Sequence, residues 1–326
     1  MKSLEKSEAE FFTHRLPAHS LMRWATECFA TLSLPDEIAL LLAQSLVRMS
    51  LLELGSRGVG RLLLEIDAVS KDGWVEPDIA VQFTGESIAR VDGGASNGIL
   101  VAHHSNELAI LHAIATGVGA VSIKSLFDCG GLPLYTRRAA EIRLVSIATS
   151  PMAGIPTEPT DHRVVSPTRA RISVAFQCEP VVVTSLDVED SDLSIYAGIN
   201  QNGQDRSSLF LQTLLAPYIG SALLVDILNM FAWQDRAGPV FLVIDPARLS
   251  EGMRFMEHVV ETIESIRRSS NSVRVQTDQV TANETARRAY GIPITQTQER
   301  QITTWSKTLG VVPPSCDQDD LAPPLH

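Results

Sequence analysis

Basic residues are scarce in this sequence of 326 residues. Lysine and arginine number 27 against 38 aspartates and glutamates, which gives a formal net charge of −11 at pH 7. Proteins that bind duplex DNA or anionic membranes neutralise phosphates with clustered cationic side chains. The arginine pairs at 137–138, 267–268 and 287–288 are typical of solvated helix faces instead. We therefore expect neither nucleic acid nor a membrane surface as a partner.

Cysteines are also few, at four, and none of them forms a C-x-x-C pair. Such usage is typical of a cytoplasmic protein with free thiols. The N-terminus is polar and acidic and lacks the apolar stretch of a secretory signal. No apolar run approaches the ~20 residues that span a bilayer. Histidines and acidic residues show no metal-binding spacing, so we expect no metal.

Apolar residues make up 44% of the chain, which suffices for a large buried core. Helical and strand patterns alternate in the middle of the chain, which favours an α/β fold built on a sheet. Periodicity and end signals predict helices over 22–32, 33–54, 99–116, 134–143, 218–233, 250–268, 281–290 and 295–308, and a short helix or turn over 57–66. Apolar or alternating runs predict one or two strands over 79–91 and single strands over 117–123, 144–149, 171–177, 180–186 and 240–244.

The predicted elements group into four parts. They are an N-terminal helical part over 1–75, a sheet domain over 76–245, a C-terminal helical part over 246–311 and a disordered tail over 312–326. Proline-rich and polar stretches predict loops over 150–167 and 189–206. The glycine-containing phrase at 117–122 falls within a strand rather than at the start of a helix, so it does not predict a Rossmann fold.

Several short phrases occur in an order that resembles a known family. They are G-S-R-G-V-G-R-L at 55–62, D-G-G at 92–94, E-L-A-I with T-G-V-G over 107–119, T-S-P at 149–151, F-L-V-I-D-P at 241–246, R-R-A-Y-G-I-P-I at 287–294 and L-G-V at 309–311. Over about residues 20–311 the chain resembles the malate/L-lactate dehydrogenase family, which includes sulfolactate, ureidoglycolate and diketogulonate dehydrogenases.

That resemblance implies a fold, a cofactor and a substrate class. The fold is a non-Rossmann α/β fold with a large, mostly antiparallel sheet and a helical part from both termini. The cofactor is NAD or NADP, and the substrate is a small 2-keto or cyclic imino acid reduced by hydride transfer. The resemblance also implies a homodimer.

The first departure from the family falls on its proton-transferring histidine. The family phrase Asp-Ser-His-Gly-Val is Gly-Ser-Arg-Gly-Val here, with Arg57 at the histidine position and the family arginine retained as Arg61. Imidazole titrates near neutrality, whereas guanidinium stays protonated and cannot act as a base. It can instead bind a carboxylate through two hydrogen bonds. Because they lie four residues apart, the two arginines form either a carboxylate site or a salt-bridged surface pair.

Further departures fall on other family motif positions. Asn-Ser-Asn-His-Phe-Gly becomes residues 125–130, where Asp128 replaces a second histidine. Gly-Thr-Asn-Pro becomes residues 168–171, and Gly-His-Lys-Gly becomes residues 215–218, without its histidine and lysine. The resemblance implies cofactor contacts at Thr168, Arg169, Arg171 and Tyr218. The family aspartate after strand 180–183 falls on Thr184, although Asp187 lies nearby.

These changes leave three functional hypotheses. The chain is a repurposed or degenerate member that binds a small carboxylate or a partner protein without hydride transfer. Alternatively, it is an active NAD(P)H-dependent reductase that uses Asp128 or Asp187 as its acid. Asp128 and Asp187 could equally be ordinary loop carboxylates. In the third hypothesis the chain is a non-redox biosynthetic enzyme, a lyase or isomerase acting on an amino or imino acid.

Overall fold

The computed structural model describes seven stretches of the chain. They are residues 12–52, 58–124, 129–151, 170–178, 181–184, 238–249 and 276–315, together with Glu257 and Glu261. The chain divides into two compact units. The terminal unit comprises Met1–Glu76 and Gln279–His326, and the sheet unit comprises Pro77–Asp278.

The described residues form both helices and strands. In chain order they are β1 (Phe12–Leu16), α1 (Ala18–Thr31), α2 (Asp36–Leu52), α3 (Val59–Asp72), β2 (Ala80–Phe83), β3 (Ile88–Asp92), α4 (Gly98–Thr116), β4 (Val118–Lys124), α5 (Leu132–Ala140), β5 (Val145–Pro151), β6 (Ala170–Cys178), β7 (Val181–Thr184), β8 (Val240–Ile244), α6 (Pro246–Leu249), α7 (Gln276–Tyr290), β9 (Ile292–Thr295) and α8 (Gln296–Leu309). None of these helices is long and apolar enough to cross a bilayer.

The terminal unit packs α1, α2, α3 and α8 together. The α8 helix begins with a reciprocal capping box, in which Gln298 N donates to Thr295 Oγ1 at 3.2 Å and Thr295 N donates to Gln298 Oε1 at 2.9 Å. It ends at Gly310, whose φ of 69° suits a residue without a Cβ. In the core of the unit, the Trp24 indole N–H donates to Ser306 Oγ at 2.9 Å. This bond connects the helices of the two chain ends.

A two-stranded antiparallel sheet in the terminal unit is absent from the sequence-based expectations. It pairs β1 with β9, and Arg15 Nη1 donates to Gly291 O at 3.0 Å beside it. Each strand is only four or five residues long, and one contains Pro293. A proline inside so short a run argues locally against a strand. The pairing of β1 with β9 therefore depends on the tertiary structure, which brings the two ends of the chain together.

The described residues of the sheet unit form a seven-stranded sheet in the order β2-β3-β4-β8-β5-β6-β7. The β3–β4 pair is parallel and is joined by α4, whereas the other neighbouring strands are antiparallel. The α4 helix packs on β3, β4 and β8, and α5 packs on β5, β6 and β7. The predicted α/β fold with a mostly antiparallel sheet is therefore confirmed.

Most predicted elements recur with shifted ends. The one or two strands predicted over 79–91 are two, β2 and β3, and the short helix or turn predicted over 57–66 is a helix that continues to Asp72. The predicted helix over 134–143 ends at Ala140. The predicted loop 150–167 begins too early, because β5 continues through Pro151. The loop predicted over 189–206 and the helix predicted over 218–233 lie outside the described residues. So do most of the helix predicted over 250–268 and residues 316–326 of the predicted tail.

Candidate functional site

The predicted site residues fall partly outside the described residues. Arg61 lies in the first turn of α3, and its side chain is described. For Arg171, the described part of the chain gives the backbone alone, which pairs with Ser150 in the sheet. The remaining predicted residues lie outside the described stretches. They are Arg57, Asp128, Thr168, Arg169, Asp187 and Tyr218.

Arg61 forms an ion pair with Glu65, one helical turn further along α3. Its Nη2 donates to Glu65 Oε1 at 2.5 Å. Glu65 is only 5% exposed, whereas the Arg61 side chain is 26% exposed. A buried carboxylate requires a cationic or hydrogen-bonding partner, since losing hydration is costly. Glu65 therefore holds the Arg61 guanidinium at the surface of the terminal unit.

Glu65 was not among the residues predicted for the site. The signal was present in the sequence, because Arg61 and Glu65 are spaced i,i+4 on a predicted helix. Such pairs are usually solvent-exposed and weak. Burial of the carboxylate, which distinguishes this pair, depends on how α3 packs against α1, α2 and α8.

The start of α3 packs directly on the last turns of α2. A Cβ added at Gly58 would lie 2.6 Å from Ser50 Oγ and 2.8 Å from Ser50 Cα. The Ser50 hydroxyl donates to Leu46 O at 3.0 Å, and the Ser50 carbonyl accepts a hydrogen bond from Arg287 Nη1 at 2.5 Å. Gly58, the residue that follows Arg57 in the chain, therefore occupies a place where no side chain fits.

We expect Gly58→Ala to destabilise the terminal unit by about 1–3 kcal/mol, because the new methyl group must displace the backbone of Ser50. Gly60→Ala is the matched control, since its Cβ would meet only the Gln298 side chain at 3.7 Å. Alanine is also the better helix former, so this control should be neutral or stabilising by up to ~1 kcal/mol. Urea denaturation measures both variants. Equal stability of the two would show that the Gly58 contact is not tight.

Two of the arginines predicted on solvated helix faces are not solvated. Arg137, on α5, is buried, and Arg287 is half-buried with its hydrogen bond to Ser50 O. Their neighbours behave as expected, because Arg138 and Arg288 form exposed ion pairs with glutamates. The prediction was wrong for Arg137 and Arg287. Adjacent residues of a helix point about 100° apart, so one arginine of each pair faces the protein while its neighbour faces solvent.

A second cluster of polar groups lies at the carboxyl ends of the parallel strands β3 and β4. Lys124 Nζ donates to Asp92 Oδ2 at 2.9 Å, and Gly94 N donates to Asp92 Oδ1 at 3.1 Å. The hydroxyl of Tyr135 donates to the Cys129 carbonyl at 2.5 Å. Ligands of open α/β sheets commonly bind at this edge. Residues 125–128, which include Asp128, lie in the chain between Lys124 and Cys129.

One thiol and one imidazole in the described residues have shifted pKa values. Cys28 and Cys129 are free and buried. Burial, with the charge of Glu27, raises the pKa of Cys28 to about 12, so its reactive thiolate is disfavoured. Burial lowers the pKa of His103 against the opposing effect of the Glu107 charge. Among the described residues, no group of three or more histidines, cysteines or acids could hold a metal ion.

Comparisons with known sequences point to one family. The family model described as malate/L-lactate dehydrogenase matches residues 16–165. The chain is 32% identical to malate dehydrogenase of Pyrococcus horikoshii over 135 residues, which are 41% of this chain and 38% of that protein. It is 24% identical to L-sulfolactate dehydrogenase of Methanothermobacter thermautotrophicus over 306 residues, which are 82% of this chain and 89% of that protein.

Solved structures extend the similarity of fold along most of the chain. The structure of malate dehydrogenase from Pyrococcus horikoshii has a TM-score of 0.67 at 23% identity, covering 92% of this chain and 96% of that one. Sulfolactate dehydrogenase from Methanocaldococcus jannaschii has a TM-score of 0.68 at 18% identity, covering 91% and 98%. The sequence match over residues 16–165 and the shared fold together confirm the predicted resemblance of this chain to the malate/L-lactate dehydrogenase family.

Proposed function

We propose that this chain binds a small carboxylate, such as a 2-keto, imino or amino acid, and does not carry out NAD(P)H-dependent hydride transfer. The observation that carries this proposal is Arg57, which stands where the resemblance implies the family's proton-transferring histidine. A general acid–base group contributes ~10²–10⁴-fold in rate, and a permanently protonated side chain cannot supply it. It can bind an anionic carboxylate.

The residues at the implied cofactor positions do not fit a nicotinamide cofactor held in the family manner. Ala216 and Pro217 stand where the family has a histidine and a lysine, so neither an imidazole nor an ammonium group is present there. No step of the proposed chemistry therefore uses NAD(P)H.

The geometry around Arg61 supports carboxylate binding. Its guanidinium is held by the buried Glu65, so less side-chain entropy remains to be lost when a ligand binds. Its side chain is partly exposed, which leaves it accessible from solvent. Arg57, four residues earlier, would supply the second cation of the site.

A nicotinamide titration tests the absence of cofactor binding. We expect no binding of NADH or NADPH at micromolar concentrations when the intrinsic fluorescence of the nucleotide is followed. Tight binding together with oxidation of NADH by pyruvate or oxaloacetate would contradict the proposal. That result would instead support a reductase that uses Asp128 or Asp187 as its acid.

A thermal-shift screen with 2-keto, imino and amino acids tests carboxylate binding. A ligand present at 100 times its Kd stabilises the folded protein by about 2.7 kcal/mol. We expect Arg57→Ala to abolish the shift that wild-type protein shows. Arg138→Ala is the control, because this exposed arginine pairs with Glu107 in the sheet unit. An undiminished shift in Arg57→Ala would remove Arg57 from the site.

A further inference from the structure

The sheet unit has a cavity on the face of its sheet that points away from α4. In β4, Gly119 lies against α4, since an added Cβ would overlap the carbonyl oxygen of Ala109. Successive side chains of a strand point to opposite faces, so Ala120 and Ser122 point away from this helix. A cavity of about 120 Å³ lies on that side of the sheet. Its lining includes Thr84, Ile88, Arg90, Ala120, Ser122 and Val240.

The cavity follows from the sizes of the side chains on three neighbouring strands. The register places Ile88 beside Ala120. It also places Arg90 beside Ser122, which pairs with Val240 on its other side. Residues that are paired across two strands share one face of the sheet. The two small side chains of β4 therefore lie between larger ones of β3 and β8, which leaves a depression above β4.

The Ser122 hydroxyl supplies a polar group inside this cavity. The residue is only 5% exposed, and it lines the cavity. Among the described residues, none forms a hydrogen bond with this hydroxyl. Most buried polar side chains in folded proteins have a partner, because an unpaired one is destabilising. The hydroxyl is therefore available to a molecule in the cavity, as a donor or as an acceptor.

We propose that this cavity binds a short, neutral aliphatic molecule that carries one oxygen atom, such as a small ketone, ether or alcohol. The side chains around Ser122 from Ile88, Ala120 and Val240 offer apolar contacts. A charged group would lose hydration that a single hydroxyl cannot replace. Arg90 is exposed, so solvent screens its charge.

The size of the cavity limits the size of the ligand. An apolar cavity of about 150 Å³ can hold benzene, so a slightly smaller one accommodates a ring of about five atoms. The cavity belongs to the sheet unit, whereas Arg57 and Arg61 belong to the terminal unit. The inference therefore goes beyond the proposed function and does not rest on it.

Tetrahydrofuran and tetrahydrothiophene test the proposal, because the two rings differ in one atom. The ether oxygen is a good hydrogen-bond acceptor, whereas the thioether sulfur is a weak one. NMR spectra of methyl-labelled protein follow binding through the methyl groups of Ile88 and Val240. We expect saturable shifts of both signals, with Kd values of about 1–10 mM, because so small a ligand makes few contacts. If neither ring shifts these signals at tens of millimolar, the proposal is overturned.

Ser122→Ala removes the hydroxyl and retains the cavity. We expect the affinity for tetrahydrofuran relative to tetrahydrothiophene to fall by about fivefold, which is the usual effect of one neutral hydrogen bond. The variant should be at least as stable as wild type, since it loses a buried polar group that has no partner among the described residues. An unchanged ratio of the two affinities overturns the role of Ser122 and, with it, the proposed class of ligand.

Ala120→Ile places a larger side chain inside the cavity. We expect the affinities for both rings to fall by about tenfold or more, because the new side chain fills the space that the ligand needs. Ala80→Ile is the matched control, since Ala80 is exposed on β2 and lies outside the cavity. Equal effects of the two substitutions would place binding elsewhere and overturn the proposal. If Ala120→Ile does not fold, the wild-type and Ser122→Ala measurements still decide the question.

Tetrahydrofuran-2-carboxylate tests whether the ligand is neutral. It has the ring of tetrahydrofuran and adds one negative charge. We expect it to bind about tenfold more weakly than tetrahydrofuran, because its carboxylate loses hydration in the cavity. Equal or tighter binding of the carboxylate, measured by the same methyl signals, would contradict a site for neutral molecules.

Discussion

Gly119→Ala should destabilise the sheet unit by about 3 kcal/mol or more. A Cβ at this position in β4 would overlap the carbonyl oxygen of Ala109 and would lie 2.9 Å from the Cβ of His112. Both contacts belong to α4, and one of them is backbone, so no rotation of a side chain can relieve the overlap. Overpacking usually costs about 1–3 kcal/mol, and a clash with helix backbone lies at or above that range.

Hydrogen exchange in peptides from β4 and α4, together with urea denaturation, measures the effect of Gly119→Ala. Gly85→Ala is the matched control in the same unit, because no atom lies within 4 Å of its added Cβ. We expect the control to stay within about 0.5 kcal/mol of wild type. Unchanged protection of β4 in Gly119→Ala would show that α4 can move away from the sheet without cost.

Trp24→Ala should destabilise the terminal unit by about 3–5 kcal/mol. The Trp24 indole is 1% exposed, so its removal leaves a large cavity between the helices around it. The substitution also removes the N–H that binds the buried Ser306 hydroxyl at 2.9 Å. Trp24→Phe retains most of the apolar area and should cost less, about 1–3 kcal/mol for the polar group left without its partner.

Tyr290→Ala provides the control for Trp24→Ala. Tyr290 is an aromatic residue of the same unit and is 74% exposed, so little buried apolar area is lost when its ring is removed. We expect a change within about 0.5 kcal/mol. Exchange rates in peptides from α1 and α8 follow the effect in this unit. Comparable losses in Tyr290→Ala and Trp24→Ala would contradict the assignment of Trp24 to the core.

Local sequence patterns identify some residues of the site, whereas others are identified only by how the helices pack. The retained phrase around Arg61 was recognisable because its residues are contiguous in the chain. Glu65 was not, because an i,i+4 pair is equally compatible with an exposed helix face and with a buried one. Ser50 and Arg287 were missed for the same reason: they are 237 residues apart in sequence and meet only in the folded unit. Homodimer formation and a cytoplasmic location remain predictions.

Sequence alone revealed the resemblance to the malate/L-lactate dehydrogenase family, predicted the alternation of helices and strands in the middle of the chain, and placed an arginine at position 57, where the resemblance implies a histidine. These features are local, since they depend on residue identity and on periodicities of two or 3.6 residues. The tertiary structure decided that β8 lies between β4 and β5, that β1 pairs with β9, and that Glu65 is buried. Such contacts join segments that are far apart in the chain. Their free energy is gained only when these segments come together, so a local sequence pattern cannot predict them.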